Sequence, residues 1–306
     1  MRATETKHRN QPRARWAKPW ALPAALLVVL LGAACGGGAS GGDPSPAQVR
    51  AVASLEIFAD FVRQVGGDRV DVTALLPSGA DPHTFEPAPK QVVDIVRADV
   101  VFVNGLGLEG NVLDVIRENA EGTIVELSAG LDTIGNNPHL WLDVRLATRY
   151  VEATRDALVA QDPAGRVEYE ANADAYLAEL AALDEELAAA VQAIAPERRK
   201  LVTFHDAFPY LAGRYGLEVV AVVVPSPGQQ PSARDVADLI ETIRAENVPA
   251  VYKEPQFSAA VLEQAASEAG VRVLDLLSDA YTEGVGSYLE LMRFNLRQLE
   301  KGLGGN

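Results

Sequence analysis

Apolar positions after residue 50 recur with two alternating periods, a short continuous run and then a helical spacing of three and four. The runs Arg69–Leu75, Val100–Val103, Thr123–Leu127, Leu201–Phe204, Glu218–Val224, Ala250–Lys253 and Val271–Leu276 read as strands. Between them Ser54–Gln64, Pro89–Arg97, Glu109–Asn119, Val144–Ala160, Pro209–Tyr215, Ser232–Glu246, Ser258–Ala269 and Gly286–Lys301 read as helices. Proline at the first position supports the helix at Pro89. Strands alternating with helices of roughly 10–15 residues imply right-handed βαβ units and parallel sheets.

One segment breaks the alternation. Arg166–Ile194 is rich in Ala, Leu and Glu, all good helix formers, and Ala173, Tyr176, Leu177, Leu180, Leu183, Leu187 and Val191 mark one apolar face. Its heptad is too short to favour a coiled-coil dimer, so a monomer is expected. The predicted fold is α/β with two lobes, each a mostly parallel sheet flanked by helices, joined by one long rigid backbone helix. The predicted boundaries are 50–165 for the N-terminal lobe, 166–196 for the linking helix and 197–306 for the C-terminal lobe. In open parallel sheets ligands sit beyond the carboxyl ends of strands.

The N-terminus carries Arg2, Lys7, Arg9, Arg13, Arg15 and Lys18 against the single acid Glu5, then an apolar run over 21–31, then Gly32-Ala33-Ala34-Cys35. That order makes residues 1–34 an export signal. The apolar run is shorter than the roughly 20 residues a spanning helix needs. Cys35 is the only cysteine, so no internal disulfide forms. Its place after small residues resembles a bacterial lipobox, although Gly32 stands where leucine is usual; lipidation of Cys35 would tether the protein to the outer face of the membrane. Residues 35–49, rich in Gly, Ser and Pro, read as a flexible tether. A periplasmic location without the anchor is the alternative.

Removing 1–34 takes 6 of 27 basic residues and 1 of 42 acids, leaving 21 against 41, a net charge of −20. So acidic a body excludes nucleic acid as a partner. It also leaves three histidines, each in its own turn: His83 in Asp-Pro-His-Thr-Phe-Glu-Pro, His139 in Asn-Pro-His-Leu-Trp-Leu-Asp and His205 in Thr-Phe-His-Asp-Ala-Phe. A single such histidine is more often a hydrogen-bonded structural residue than a ligand. Three of three at strand ends point to a divalent metal site, completed by a carboxylate. Two acids compete for that place, Glu254 after Ala250–Lys253 and Asp279 after Val271–Leu276, and either could instead be a cap or a surface acid. Asp206, beside His205, is a further candidate for an outer position.

Pro-Ser-Gly-Ala-Asp-Pro-His-Thr-Phe-Glu-Pro (77–87), Asn-Gly-Leu-Gly-Leu-Glu (104–109), Pro-His-Leu-Trp-Leu-Asp (138–143), Phe-His-Asp-Ala-Phe (204–208) and Gly-Ser-Tyr-Leu-Glu-Leu-Met-Arg-Phe-Asn-Leu (286–296) occur in that order. In this the chain resembles the metal-receptor subunits of bacterial zinc and manganese ABC importers, solute-binding protein family 9, over nearly all of 51–302. The resemblance implies metal ligands at His83, His139, His205 and Asp279, with Glu254 and Asp206 left as outer candidates. Histidine at the third position implies zinc over manganese. It further implies a receptor without enzymatic activity that delivers its ion to a membrane permease. One departure is that residues 105–137 hold no histidine, where many zinc members carry a His/Asp-rich loop. Three other readings stand beside zinc delivery. A manganese or iron receptor would use the same site. A zinc hydrolase would use Glu254 as base, but no His-Glu-x-x-His or Gly-x-Ser-x-Gly motif supports it. An adhesin is the third.

Overall fold

The computed structural model describes residues 48–305. The expected export signal, Cys35 and the tether as far as residue 47 lie outside the described residues. The first half holds β1 (Val49–Ala53), α1 (Glu56–Gly66), β2 (Val70–Ala74), α2 (Pro89–Arg97), β3 (Val100–Val103), α3 (Asn111–Asn119) and β4 (Thr123–Glu126). Its four strands are all parallel, in the order β2-β1-β3-β4.

The strand β1 had no counterpart in the sequence reading, which ended the tether at 49 and began a helix at Ser54. Four of its five residues, Val49, Ala51, Val52 and Ala53, are buried, so it shows none of the alternation that marks a half-exposed strand. The ladder runs on past it: Ser54 N–H donates to Phe102 O at 2.9 Å, and α1 therefore starts two residues later than the pattern suggested.

Two antiparallel-running helices follow, α4 (Val144–Gln161) and α5 (Arg166–Gln192). The predicted helix over 166–194 is present, 27 residues or about 40 Å long. Ala173, Tyr176, Leu180, Leu183, Leu187 and Val191 are buried along it, with Leu177 half-buried. The same face carries a buried acid, Asp184, which pairs with Arg214 and accepts from Tyr215 OH at 3.0 Å.

The second half repeats the first: β5 (Lys200–His205), α6 (Pro209–Tyr215), β6 (Glu218–Val224), α7 (Ala233–Ala245), β7 (Ala250–Lys253), α8 (Ala260–Ala269), β8 (Arg272–Asp275) and α9 (Tyr288–Leu303). Its strands are again parallel, ordered β6-β5-β7-β8. Ser232 and Ser287 cap α7 and α9 by accepting from Asp235 N–H and Glu290 N–H, so both serines sit just outside the helices they were expected to begin or join.

The fold is thus the expected pair of parallel α/β lobes joined by one long helix. A smaller apolar cluster, Val202, Val224, Leu239, Ile243, Val251 and Leu262 among its members, belongs to the second lobe alone. The larger one runs from Val49 through α5 to Leu303 and is shared by both lobes. Polar contacts also cross it. Asp60 on α1 is buried and accepts from Tyr288 N–H at 2.8 Å, and the Phe61 and Tyr288 rings lie 5.0 Å apart. Because the two lobes share side chains, bending one against the other means repacking that cluster.

Candidate metal centre

Both sheets point the carboxyl ends of their strands at one cleft, and four side chains meet there. Two arrive by the same local device. In Asp81-Pro82-His83 the Asp81 carboxylate accepts from His83 N–H at 3.0 Å and from Thr84 OH at 2.7 Å. In Asn137-Pro138-His139 the side-chain Oδ1 of Asn137 accepts from His139 N–H at 3.1 Å. Each is an Asx turn, which the short side chain forms with its own backbone two residues on. After the second, Leu140, Trp141 and Leu142 make one tight helical turn, wholly buried, that fixes the chain behind His139.

His205 comes from a strand. It is the last residue of β5 rather than the first of a loop, and it is buried. Glu254 follows β7, the neighbour of β5, so the two residues end adjacent parallel strands and meet: His205 Nδ1 lies 2.8 Å from Glu254 Oε1. Ser278 OH donates to the other oxygen of Glu254. Asp279 stands one residue further, on a turn whose Leu277 peptide is clasped by Asn295 of α9 at 2.7 and 2.8 Å.

The imidazole centroids of His83, His139 and His205 are 5.0–5.7 Å apart. His139 Nε2 is 3.2 Å from His205 Nε2 and 3.4 Å from Asp279 Oδ1, and His205 Nε2 is 3.8 Å from Asp279 Oδ2. One donor atom from each of the four residues lies within 4.8 Å of all the others. His83 Nε2 and both Asp279 oxygens are buried with no hydrogen-bond partner among the described residues. Buried polar atoms left unpaired are costly, and three of them aimed at one point suit a shared cation.

The outer partners decide which ring nitrogens face inward. Asn137 Oδ1 is 2.9 Å from His139 Nδ1, and Glu254 holds His205 Nδ1, so a proton on each Nδ1 leaves both Nε2 lone pairs for a metal. The two partners differ in charge, and the rings respond. Burial pushes His139 down to about 4, only partly offset by Asp279. Burial acts on His205 in the same sense, but Glu254 and then Asp279 outweigh it and raise the ring to about 9. Burial would raise Asp279, yet His139, then His205 and His83, hold it well below the usual carboxylate range.

Asp206 does not take the outer position foreseen for it. Successive side chains of an extended segment point oppositely; His205 is buried and Asp206 is exposed. The site uses its backbone instead, since Asn137 Nδ2 donates to Asp206 O at 2.6 Å. Asn137 therefore orients His139 and also clasps the residue beside His205 across the cleft. The sequence reading passed over Asn137, although its signal was present: Asx-Pro-His occurs twice. His83, the half-buried ligand candidate, faces a cleft bordered by Ile134, Asn137, Asp206 and Ser226, the open side of the cluster.

Two parallel α/β lobes with a closed three-histidine, one-carboxylate cluster between them define a two-lobed cation receptor. The chain belongs to the family described as zinc-uptake complex component A, periplasmic (ZnuA), which matches residues 51–302. It is 31% identical over 268 residues to the manganese-binding lipoprotein MntA of Halalkalibacterium halodurans, covering 83% of this chain and 88% of that one. It is 28% identical over 279 residues to the iron ABC transporter substrate-binding lipoprotein MtsA of Streptococcus pyogenes, covering 84% and 89%. Among solved structures, the periplasmic zinc-binding protein TroA of Treponema pallidum superposes with a TM-score of 0.77 at 27% identity, covering 84% of this chain and all of that one. The manganese-bound periplasmic metal-binding protein of Candidatus Liberibacter asiaticus gives 0.76 at 26% identity with the same coverage.

Proposed function

We propose that the protein is an exported receptor that binds one divalent cation, zinc, through His83, His139, His205 and Asp279 and delivers it to an ABC importer permease in the membrane. The observation that carries this reading is the convergence of three imidazole nitrogens and one carboxylate oxygen within 4.8 Å in a buried cleft. Three nitrogens and one oxygen suit tetrahedral zinc, and a full set of four protein ligands leaves no open position for a reacting water. That favours a receptor over a hydrolase. Glu254 is also engaged at both oxygens, by His205 Nδ1 and by Ser278 OH, which places it behind His205 rather than free to act as a base.

Location follows the same reasoning. The basic and apolar N-terminus ending at Cys35 matches an exported lipoprotein, the word used for the relatives MntA and MtsA. No helix among the described residues is long and apolar enough to cross a membrane. We read 1–34 as the cleaved signal, 35–49 as the lipidated tether less its last residue, Val49, which opens β1, and the receptor as a monomer.

A second metal assignment has its own support, because the relatives are named for manganese and iron. Zinc is preferred here because nitrogen-rich sites bind zinc above manganese and iron in the Irving–Williams order. The test is metal analysis of protein purified without chelator, followed by competition titrations with zinc, manganese and ferrous iron. Stoichiometric zinc that the others fail to displace supports the assignment. Manganese or iron retained in the presence of equimolar zinc overturns it.

A further inference from the structure

The motif Asn104-Gly105-Leu106-Gly107-Leu108-Glu109 contributes no ligand, yet it holds the most enclosed carboxylate outside the cation cluster. Glu109 is completely buried. Its Oε1 accepts from Ser54 OH at 2.9 Å and from Asn104 N–H at 2.5 Å, and its Oε2 accepts from Gly105 N–H at 3.1 Å. These donors end two neighbouring strands, β1 and β3, so one side chain ties off both. Between Asn104 and Glu109 the backbone runs through the left-handed region at Gly105, Leu106 and Gly107, with φ of 84°, 55° and 81°. A non-glycine residue rarely sits there unaided, and Leu106 is held by the turn that Glu109 closes.

The closed turn touches the first two ligand segments. On one side Asn104 Nδ2 donates to Pro138 O at 3.0 Å, the peptide immediately before His139, while Asn104 Oδ1 accepts from Tyr150 OH. On the other side Gly110, at φ 47°, lies so near the His83 carbonyl that an added Cβ would stand 2.9 Å from its oxygen. The turn is a wedge with His83 on one flank and His139 on the other. Neither contact reaches His205.

We propose that Glu109 is a positioning residue for cation binding, fixing the 104–110 turn so that it sets the separation of His83 and His139. This rests on the receptor reading only for its consequence in affinity; its geometric content concerns the metal-free protein. Outer groups of this kind typically change affinity by about 10–100-fold.

The test compares Glu109→Gln, Asn104→Ala and Gly110→Ala with the unaltered full-length protein. Imidazole nitrogen-15 shifts are recorded without metal, cobalt(II) visible spectra and zinc competition with metal. Glu109→Gln should move the His83 and His139 resonances while His205 stays, alter the cobalt band pattern, and weaken zinc by ~10–100-fold. Gly110→Ala puts a Cβ against His83 O at a φ that alanine tolerates poorly, so it should move His83 most. Asn104→Ala removes the link to Pro138 O and should move His139 most, and the pair decides the matter if Glu109→Gln fails to fold. Variants that melt earlier but keep all three histidine shifts, the cobalt spectrum and zinc affinity unchanged would overturn the proposal, because Glu109 would then serve the fold only. A native protein that binds neither ion would refute the receptor reading instead, and the metal-free resonances would still judge the wedge.

Discussion

The Trp141 indole N–H donates to Ser278 O at 3.0 Å, across the two lobes and one residue from Asp279. Trp141 sits two residues beyond His139, so the segments bearing two of the four proposed ligands are joined by a direct bond. Tyr288 OH donates to Trp141 O at 2.6 Å, and Phe58 packs on the indole at 5.2 Å. The bridge is buried on every side and is made wholly of protein atoms that are not proposed ligands.

A bridge that involves no ligand atom should hold with and without metal, and fluorescence checks this. Trp141 is the tryptophan that remains if residues 1–34 are removed as proposed, because Trp16 and Trp20 lie within them. Zinc should change its emission intensity through the His139 ring 5.4 Å away, without changing its access to acrylamide. Quenching by acrylamide that falls sharply on adding zinc would show a loop ordered by the metal. Trp141→Phe strands the Ser278 carbonyl in the interior and should cost about 1–3 kcal/mol in denaturant unfolding.

Asn137 offers a cleaner separation of affinity from stability, because it is only half-buried. Asn137→Ala removes the partner of His139 Nδ1 and the clasp on Asp206 O. Zinc affinity should fall ~10–100-fold, with little change in the unfolding midpoint of the metal-free protein. Unchanged affinity by competition titration would mean that the Leu140–Leu142 turn alone orients His139.

The two acids should separate in the same assay. Asp279 faces the Nε2 atoms of His139 and His205, whereas Glu254 lies behind His205 at Nδ1. Asp279→Ala should therefore weaken zinc at least as much as Glu254→Ala, whose loss is expected at ~10–100-fold. Greater damage from Glu254→Ala would make Glu254 the fourth ligand.

The outer partners also fix the pH response. His205, raised from 6.5 to about 9, is protonated in the neutral metal-free protein. A histidine raised above its unfolded value stabilises the fold below the unfolded value, and that contribution is lost as pH rises through about 9. Zinc needs the neutral ring and must expel this proton. Calorimetry in buffers of different ionisation heat should find about one proton released per zinc near neutrality, with affinity rising up to ~tenfold per pH unit. His139, lowered to about 4, is already neutral there and adds none. Affinity flat across the neutral range would remove Glu254 as the group that charges His205.

The sequence by itself determined what depends on neighbours in the chain. Apolar spacing set the alternation of strands and helices and the long face of α5, because period and propensity act over a few residues. Asx-Pro-His, twice, encoded two turns that present imidazole, since the Asx oxygen finds its donor two residues on. Where one residue must face its successor's opposite, the reading failed at Asp206, and it failed at β1, whose burial on both faces erased its period. Tertiary structure alone decided which ends meet. The sequence named Glu254 but not its partner; the partner is His205, 49 residues away, because β5 and β7 are sheet neighbours. Trp141 reaches Ser278 over 137 residues for the same reason, a shared core that packs both lobes against one helix. Donor chemistry is written locally, but the point at which four donors converge is set by strand order and packing, which no local spacing carries.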